Sequence, residues 1–258
     1  AIELHRDTIV IDGLIISKWD RQIFEDMRYG GLTAANCTCA VWEGFTETMD
    51  NIANWKRLIV ENDDILLQVY DVDDIRRAKE ENRVGIILGW QNTYPIESNL
   101  DRLRLFSDLG VRFMQLTYNT QNLVGAGCWE SKENGLSDYG RDVVGQMNEL
   151  GIVIDLSHVG EQSCRDAVAY SKVPVAFTHC VPRGLLDMPR NKSDELLQLT
   201  ADKGGFVGFA PYGPFLPSGE DSTIDDCIAG LEYTVNLVGE ESVGIGTDFT
   251  QGYDAEFF

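Results

Sequence analysis

Apolar positions in this chain gather into eight short runs with the residue types of β-strands. They are TIVIDGLI at 8–15, AANCTCAV at 34–41, VGIILGWQ at 84–91, VRFMQLTY at 111–118, GIVIDLSH at 151–158, VPVAFTHC at 173–180, GFVGFAP at 205–211 and SVGIGTDF at 242–249. Between most of them lie helix-length segments in which apolar residues recur every three or four positions. NLDRLRLFSDLG at 99–110 and GRDVVGQMNELG at 140–151 show this best, each closed by a glycine suited to stop a helix. EQSCRDAVAYSK, SDELLQLTADKGG and DDCIAGLEYTVNLVG repeat the pattern further along. Strand followed by helix, eight times over, predicts an α/β fold of the (β/α)₈ TIM-barrel type with residues 1–258 as one domain. After TDFTQ at 247–251 only GYDAEFF at 252–258 follows, too short for the helix that should cover the last strand. The expectation is either that the C-terminal closing helix is missing from this chain, or that another chain or the long 211–224 loop covers that wall.

Barrels of this type place their chemistry at the C-terminal ends of the strands. Read in order, those positions offer Asp12 within the first strand, then Gln91, Tyr118, His158, His179 and Asp248. The chain has three histidines, so any histidine-based metal chemistry rests on His158 and His179. Imidazoles facing one another across a sheet suit a transition metal, and they also suit proton transfer or substrate binding. Trp90, Trp129, Tyr212 and Phe215 are read as core, with pocket walls as the alternative.

Charge narrows the partners. Lys and Arg number 21 against 42 Asp and Glu, a formal net charge of −21 that repels phosphate backbones and anionic membranes, so no nucleic-acid partner is expected. The apolar runs fall well short of the roughly 18 residues a membrane span needs, and AIELHRDTIVIDG does not read as a secretory signal, with an earlier, removed one as the alternative. The six cysteines show no C-x-x-C spacing and read as buried thiols in a reducing, cytoplasmic setting.

Several segments together resemble the membrane dipeptidase (renal dipeptidase-like, peptidase M19) family: VIDG at 10–13, LDRLRLFSDLGVRFMQLTYN at 100–119, GLSDYGRDVVGQMNELGIVIDLSHV at 135–159, THCVPRGL at 178–185, PRNKSDELL at 189–197 and VGIGTDF at 243–249. The resemblance implies a (β/α)₈ barrel, a two-zinc centre that hydrolyses dipeptides, and a homodimer. It also implies that His158 and His179 are ligands of the second metal. By the same resemblance Asp248 handles protons, and Arg190, in PRN, holds the substrate carboxylate. An ordinary alternative for Arg190 is a surface cation paired with Asp187 or Asp194.

The chain departs from that family at four positions, 14, 16, 91 and 118. The family's D-G-H-x-D, whose His and Asp bind the first zinc, reads Asp12-Gly13-Leu14-Ile15-Ile16 here. Gln91 stands where the family has the glutamate bridging both metals, and Tyr118 replaces another family histidine. Leu14 and Ile16 cannot ligate zinc, and an amide can offer one oxygen but cannot bridge two cations. The expectation is an enzyme acting on a small carboxylate-bearing molecule, peptide-like or aromatic, by acid–base chemistry through Asp248, His158, His179 and Tyr118. Arg190 and Tyr118 would bind substrate, and at most one divalent ion, zinc or another, would sit on His158, His179 and Gln91. Two alternatives stay open: a mononuclear zinc dipeptidase, and a non-catalytic binding subunit.

Overall fold

The computed structural model describes residues 2–251. Ten parallel strands curl into one sheet: β1 (Ile11–Ser17), β2 (Ala34–Thr38), β3 (Leu66–Gln68), β4 (Val84–Trp90), β5 (Val111–Gln115), β6 (Val153–Asp155), β7 (Ala176–Cys180), β8 (Phe206–Phe209), β9 (Val243–Ile245) and β10 (Phe249–Gln251). Nine helices accompany them among the described residues: α1 (Ile2–Asp7), α2 (Arg21–Tyr29), α3 (Phe45–Glu61), α4 (Val72–Glu80), α5 (Asp101–Leu109), α6 (Asp138–Leu150), α7 (Glu161–Tyr170), α8 (Asp194–Asp202) and α9 (Ile224–Val238). This is the (β/α)₈ TIM-type barrel that the strand–helix alternation predicts.

Local chemistry sets the helix ends. Ser137 and Ser193 cap α6 and α8 by accepting from Gly140 N and Leu196 N, while α5 and α6 stop at Gly110 and Gly151, both in the left-handed region. One large core lies between sheet and helices, where Ile86, Leu88, Met114 and Phe177 meet Phe106, Val143, Met147 and Leu197.

Two strands differ from the expectation. β3 has no counterpart among the eight runs; it pairs with Val84–Ile86 on β4, whose upper half, from Leu88, pairs with β5 instead. The eighth run is not one strand. β9 pairs with β8 and β10 pairs with β1, so the chain crosses the closing seam through Gly246–Asp248. The cause lies in β1: Asp12 accepts from Thr247 N at 2.9 Å and Thr247 Oγ1 at 2.6 Å, and Asp248 N donates to Leu14 O at 3.1 Å. The tail proposed to be too short for a closing helix, 252–258, lies outside the described residues. The 211–224 loop brings Tyr212 and Phe215 to the barrel mouth, where they line one cavity with Thr250 of β10.

The same device recurs across the barrel. Asp155 on β6 accepts from Thr178 N at 3.1 Å and Thr178 Oγ1 at 2.7 Å on β7, and from Ser157 Oγ at 2.5 Å. Each clamped threonine directly precedes a residue of interest, His179 in one case and Asp248 in the other. The Thr178 carbonyl then points at Gly13 and Gly246, where an added Cβ would lie 2.3 and 1.8 Å from its oxygen, so β1 and the seam can approach β7 only as glycine.

Replacing Thr247 by valine keeps the shape but leaves a buried carboxylate short of a donor. The expected cost is about 1–3 kcal/mol in a urea melt; an unchanged midpoint would show that closure does not depend on this clamp.

Candidate active site

At the C-terminal mouth of the barrel lies a cavity of about 350 Å³ lined by Tyr118, Asn119, His158, Arg190 and Asp248 together with Trp129, Tyr212, Pro214, Phe215 and Thr250. Its size suits a small molecule. Four of the residues expected from the sequence thus meet at one space. His179 is fully buried directly behind His158.

The two imidazoles are held at both ends. His158 Nε2 and His179 Nε2 stand 3.0 Å apart. His158 Nδ1 lies 2.7 Å from Asn119 Oδ1, an oxygen that can only accept, so the proton is on Nδ1. His179 Nδ1 lies 2.8 Å from Thr178 Oγ1, whose own hydrogen goes to Asp155, so here too Nδ1 carries the proton. Both Nε2 lone pairs therefore point into the same gap. Burial, and after it the Arg190 charge, holds both imidazoles well below their ordinary pKa, so they are neutral at pH 7.

Asp248 sits in the left-handed region at φ +55°, a conformation the hydrogen bond to Leu14 O sustains. Burial pushes its carboxyl up to about 6; Arg190 opposes this, while Asp12 and Asp155 add to it. Arg190 is 1% exposed, which rules out the surface pairing with Asp187 or Asp194. Its Nη1 and Nη2 donate to Ser157 O at 2.6 Å and His179 O at 3.0 Å, and its cation lies 5.1 Å from the Phe215 ring. Nε is buried without a partner, and each Nη keeps a second hydrogen. Tyr118 stacks on His158 with ring centroids 4.2 Å apart, and burial pushes its phenol up to about 12, which keeps it a donor at neutral pH.

The expected metal positions divide sharply. Leu14 and Ile16 are 1% and 6% exposed, and Ile16 packs with Val41 and Tyr118 in an apolar plug. Nothing there fits a first metal. Gln91 is buried at the end of β4, its amide nitrogen donating to Thr38 Oγ1 at 3.1 Å, and it is not among the residues lining the cavity. Among the described residues no three His, Cys, Asp or Glu side chains converge as a metal-holding group. What does fit an ion is the pair of Nε2 lone pairs.

Sequence reasoning passed over Asn119, Ser157, Thr178 and Asp155. Asp155 left a signal, an acid inside the apolar strand IVIDL, and Asn119 left another, a turn-favouring residue directly after Tyr118, here at φ +60°. Trp129, Tyr212 and Phe215, read as core, are walls of the cavity; Trp90 is core, packed on Phe106 at 4.8 Å.

Comparison with known proteins places this geometry. The family model "Membrane dipeptidase (Peptidase family M19)" matches residues 21–256. An uncharacterised dipeptidase of Schizosaccharomyces pombe is 32% identical over 210 residues, 79% of this chain and 50% of the relative, so the chain spans about half the length of the curated relatives it matches. A crystal structure of an amidohydrolase from Pseudomonas aeruginosa superposes with a TM-score of 0.97 at 53% identity, covering 100% of this chain and 79% of that one. A metallopeptidase from Rhodobacter sphaeroides, solved with a phosphinate mimic of the dipeptide L-Ala-D-Ala, shares the fold at TM-score 0.83 and 20% identity, covering 94% and 86%. The chain belongs to the membrane dipeptidase family, peptidase family M19.

Proposed function

We propose that this chain is a hydrolase-family enzyme acting by acid–base chemistry on a small carboxylate-bearing molecule, peptide-like or aromatic, with at most one divalent ion. The observation that carries this reading is the meeting of Tyr118, His158, Arg190 and Asp248 at one small cavity on the catalytic face of the barrel. Arg190, pinned by two backbone carbonyls, presents its remaining N–H groups to the substrate carboxylate. Trp129, Tyr212 and Phe215 enclose the rest of the molecule and exclude water. Asp248, with a carboxyl near 6, is suited to take a proton and return it at neutral pH. The Tyr118 hydroxyl donates to oxygen that gains charge during reaction.

One ion would be held by His158 and His179, with the side-chain oxygen of Gln91, whose amide nitrogen donates to Thr38, as the further protein ligand. Bound there, zinc or another divalent ion supplies carbonyl polarisation or a more acidic water. The facing lone pairs favour a second reading as well, a mononuclear zinc dipeptidase, which differs in requiring that ion for turnover.

Elemental analysis of protein purified without chelator should give no more than one divalent ion per chain, and none in His179→Ala. Two ions per chain would overturn the reading of Leu14 and Ile16.

Asp248→Asn should lower turnover by roughly 10²–10⁴-fold. In the parent, activity should rise as pH passes upward through about 6, where the base ionises. Because the folded carboxyl titrates above its unfolded value, its ionised form costs stability above that pH. Asp248→Asn should therefore melt higher than the parent at pH 8, with the difference gone by pH 4. Equal melting temperatures at pH 8 would mean the carboxyl is not raised.

A further inference from the structure

The floor of the barrel, at the opposite end of the strands from the cavity, holds a hollow of about 150 Å³ surrounded by Arg6, Arg28, Lys79 and Arg83, with Gly31 and Asn82 at its rim. The first three come from the last turns of α1, α2 and α4, and Arg83 from the turn into β4. A chain of net charge −21 places four cations around one small space. Two carboxylates pair with them, Asp7 with Arg6 at 3.0 Å and Glu81 with Arg83 at 2.8 Å. The other two cations donate to carbonyls: Arg28 to Asp64 O at 3.1 Å and Lys79 to Thr8 O at 2.6 Å. The Asp64 carboxylate is bonded by Arg21 at 2.7 Å and also feels the charge of Arg28.

A carbonyl satisfies a hydrogen bond without cancelling a charge, so Arg28 and Lys79 leave an excess of positive charge that Asp64 offsets only in part, at Arg28. The C-terminal ends of the helices offset part of this excess, at about half a charge each and only within the last turn. Arg83 Nε adds a buried donor with no partner. The volume equals roughly five waters of liquid, enough for a tetrahedral oxyanion and below the roughly 300 Å³ at which pockets for larger ligands begin. We infer that this hollow binds a small dianionic oxyanion of the phosphate class, either free or as the head of a small phosphomonoester. α1 has no buried residue of its own, and the anion ties it to α2, α4 and β4.

The probes are inorganic phosphate and glycerol phosphate, each titrated against sodium chloride at matched ionic strength, with melting temperature and ³¹P line width as readouts. The parent should show a saturable rise in melting temperature, as binding to the folded state alone requires, and broadened ³¹P signals. Both should weaken at least tenfold in Lys79→Gln/Arg28→Gln, and also in Arg6→Gln, which sits on an exposed helix and keeps the fold testable if the double variant fails. Saturation by both probes identifies a phosphate head group as the ligand, and saturation by inorganic phosphate alone identifies the free anion. A response that follows ionic strength without saturating, or that persists unchanged in the variants, overturns the site.

Discussion

A buried carboxylate that receives the backbone N–H and the hydroxyl of one threonine is the interaction on which the site depends. It occurs twice, Asp155 with Thr178 and Asp12 with Thr247. Hydrogen bonds to a charged group contribute about 1.5–3 kcal/mol each, while bringing a carboxylate out of water costs several. Both carboxyls are pushed above their ordinary values with burial as the largest cause, so the penalty outweighs the bonds. The clamps consequently add little net stability. What they supply is position: the residue after each threonine is held in place, Asp248 at the mouth and His179 directly behind His158.

The apolar plug follows from the same frame. The Asp12 clamp is intact, so β1 still delivers positions 14 and 16 to fixed places at the head of the barrel, one fully buried and one against Tyr118. Burying two aliphatic side chains there contributes about 1.5–3 kcal/mol each. A divalent cation would meet only hydrocarbon at that spot. Tyr118 completes the exchange, since a ring that packs on Ile16 and stacks on His158 occupies the space between the two halves of the mouth.

Periodicity made the barrel legible because each long strand or amphipathic helix carries its own signal. β3 escaped, since three residues, LLQ, are too few to show a pattern and gain strand geometry only by pairing with β4. The split of SVGIGTDF escaped as well: it is set by Asp12, some 235 positions away in sequence, and no local preference encodes it. In the site, Tyr118, His158 and Asp248 were visible as polar strand ends and Arg190 through the family resemblance, while the aromatic walls Trp129, Tyr212 and Phe215 read as core. The residues that hold the site in place were not visible, because Ser157, Thr178 and Asn119 look like ordinary turn and strand residues until the fold brings their partners within 3 Å.

Arg190 couples the two ends of the proposed chemistry. Its charge lowers the Asp248 carboxyl against the rise imposed by burial and by Asp12 and Asp155, and the balance falls near 6. When a substrate carboxylate engages the free N–H groups of Arg190, that positive charge is shared with an anion, and its hold on Asp248 weakens. Burial then prevails further, and the carboxylate becomes a stronger base with substrate bound than without it. In the proposed reaction the proton acceptor is thereby sharpened by the same contact that recognises the substrate, and a ligand of similar shape without a carboxylate would leave Asp248 the weaker base it is in the free protein.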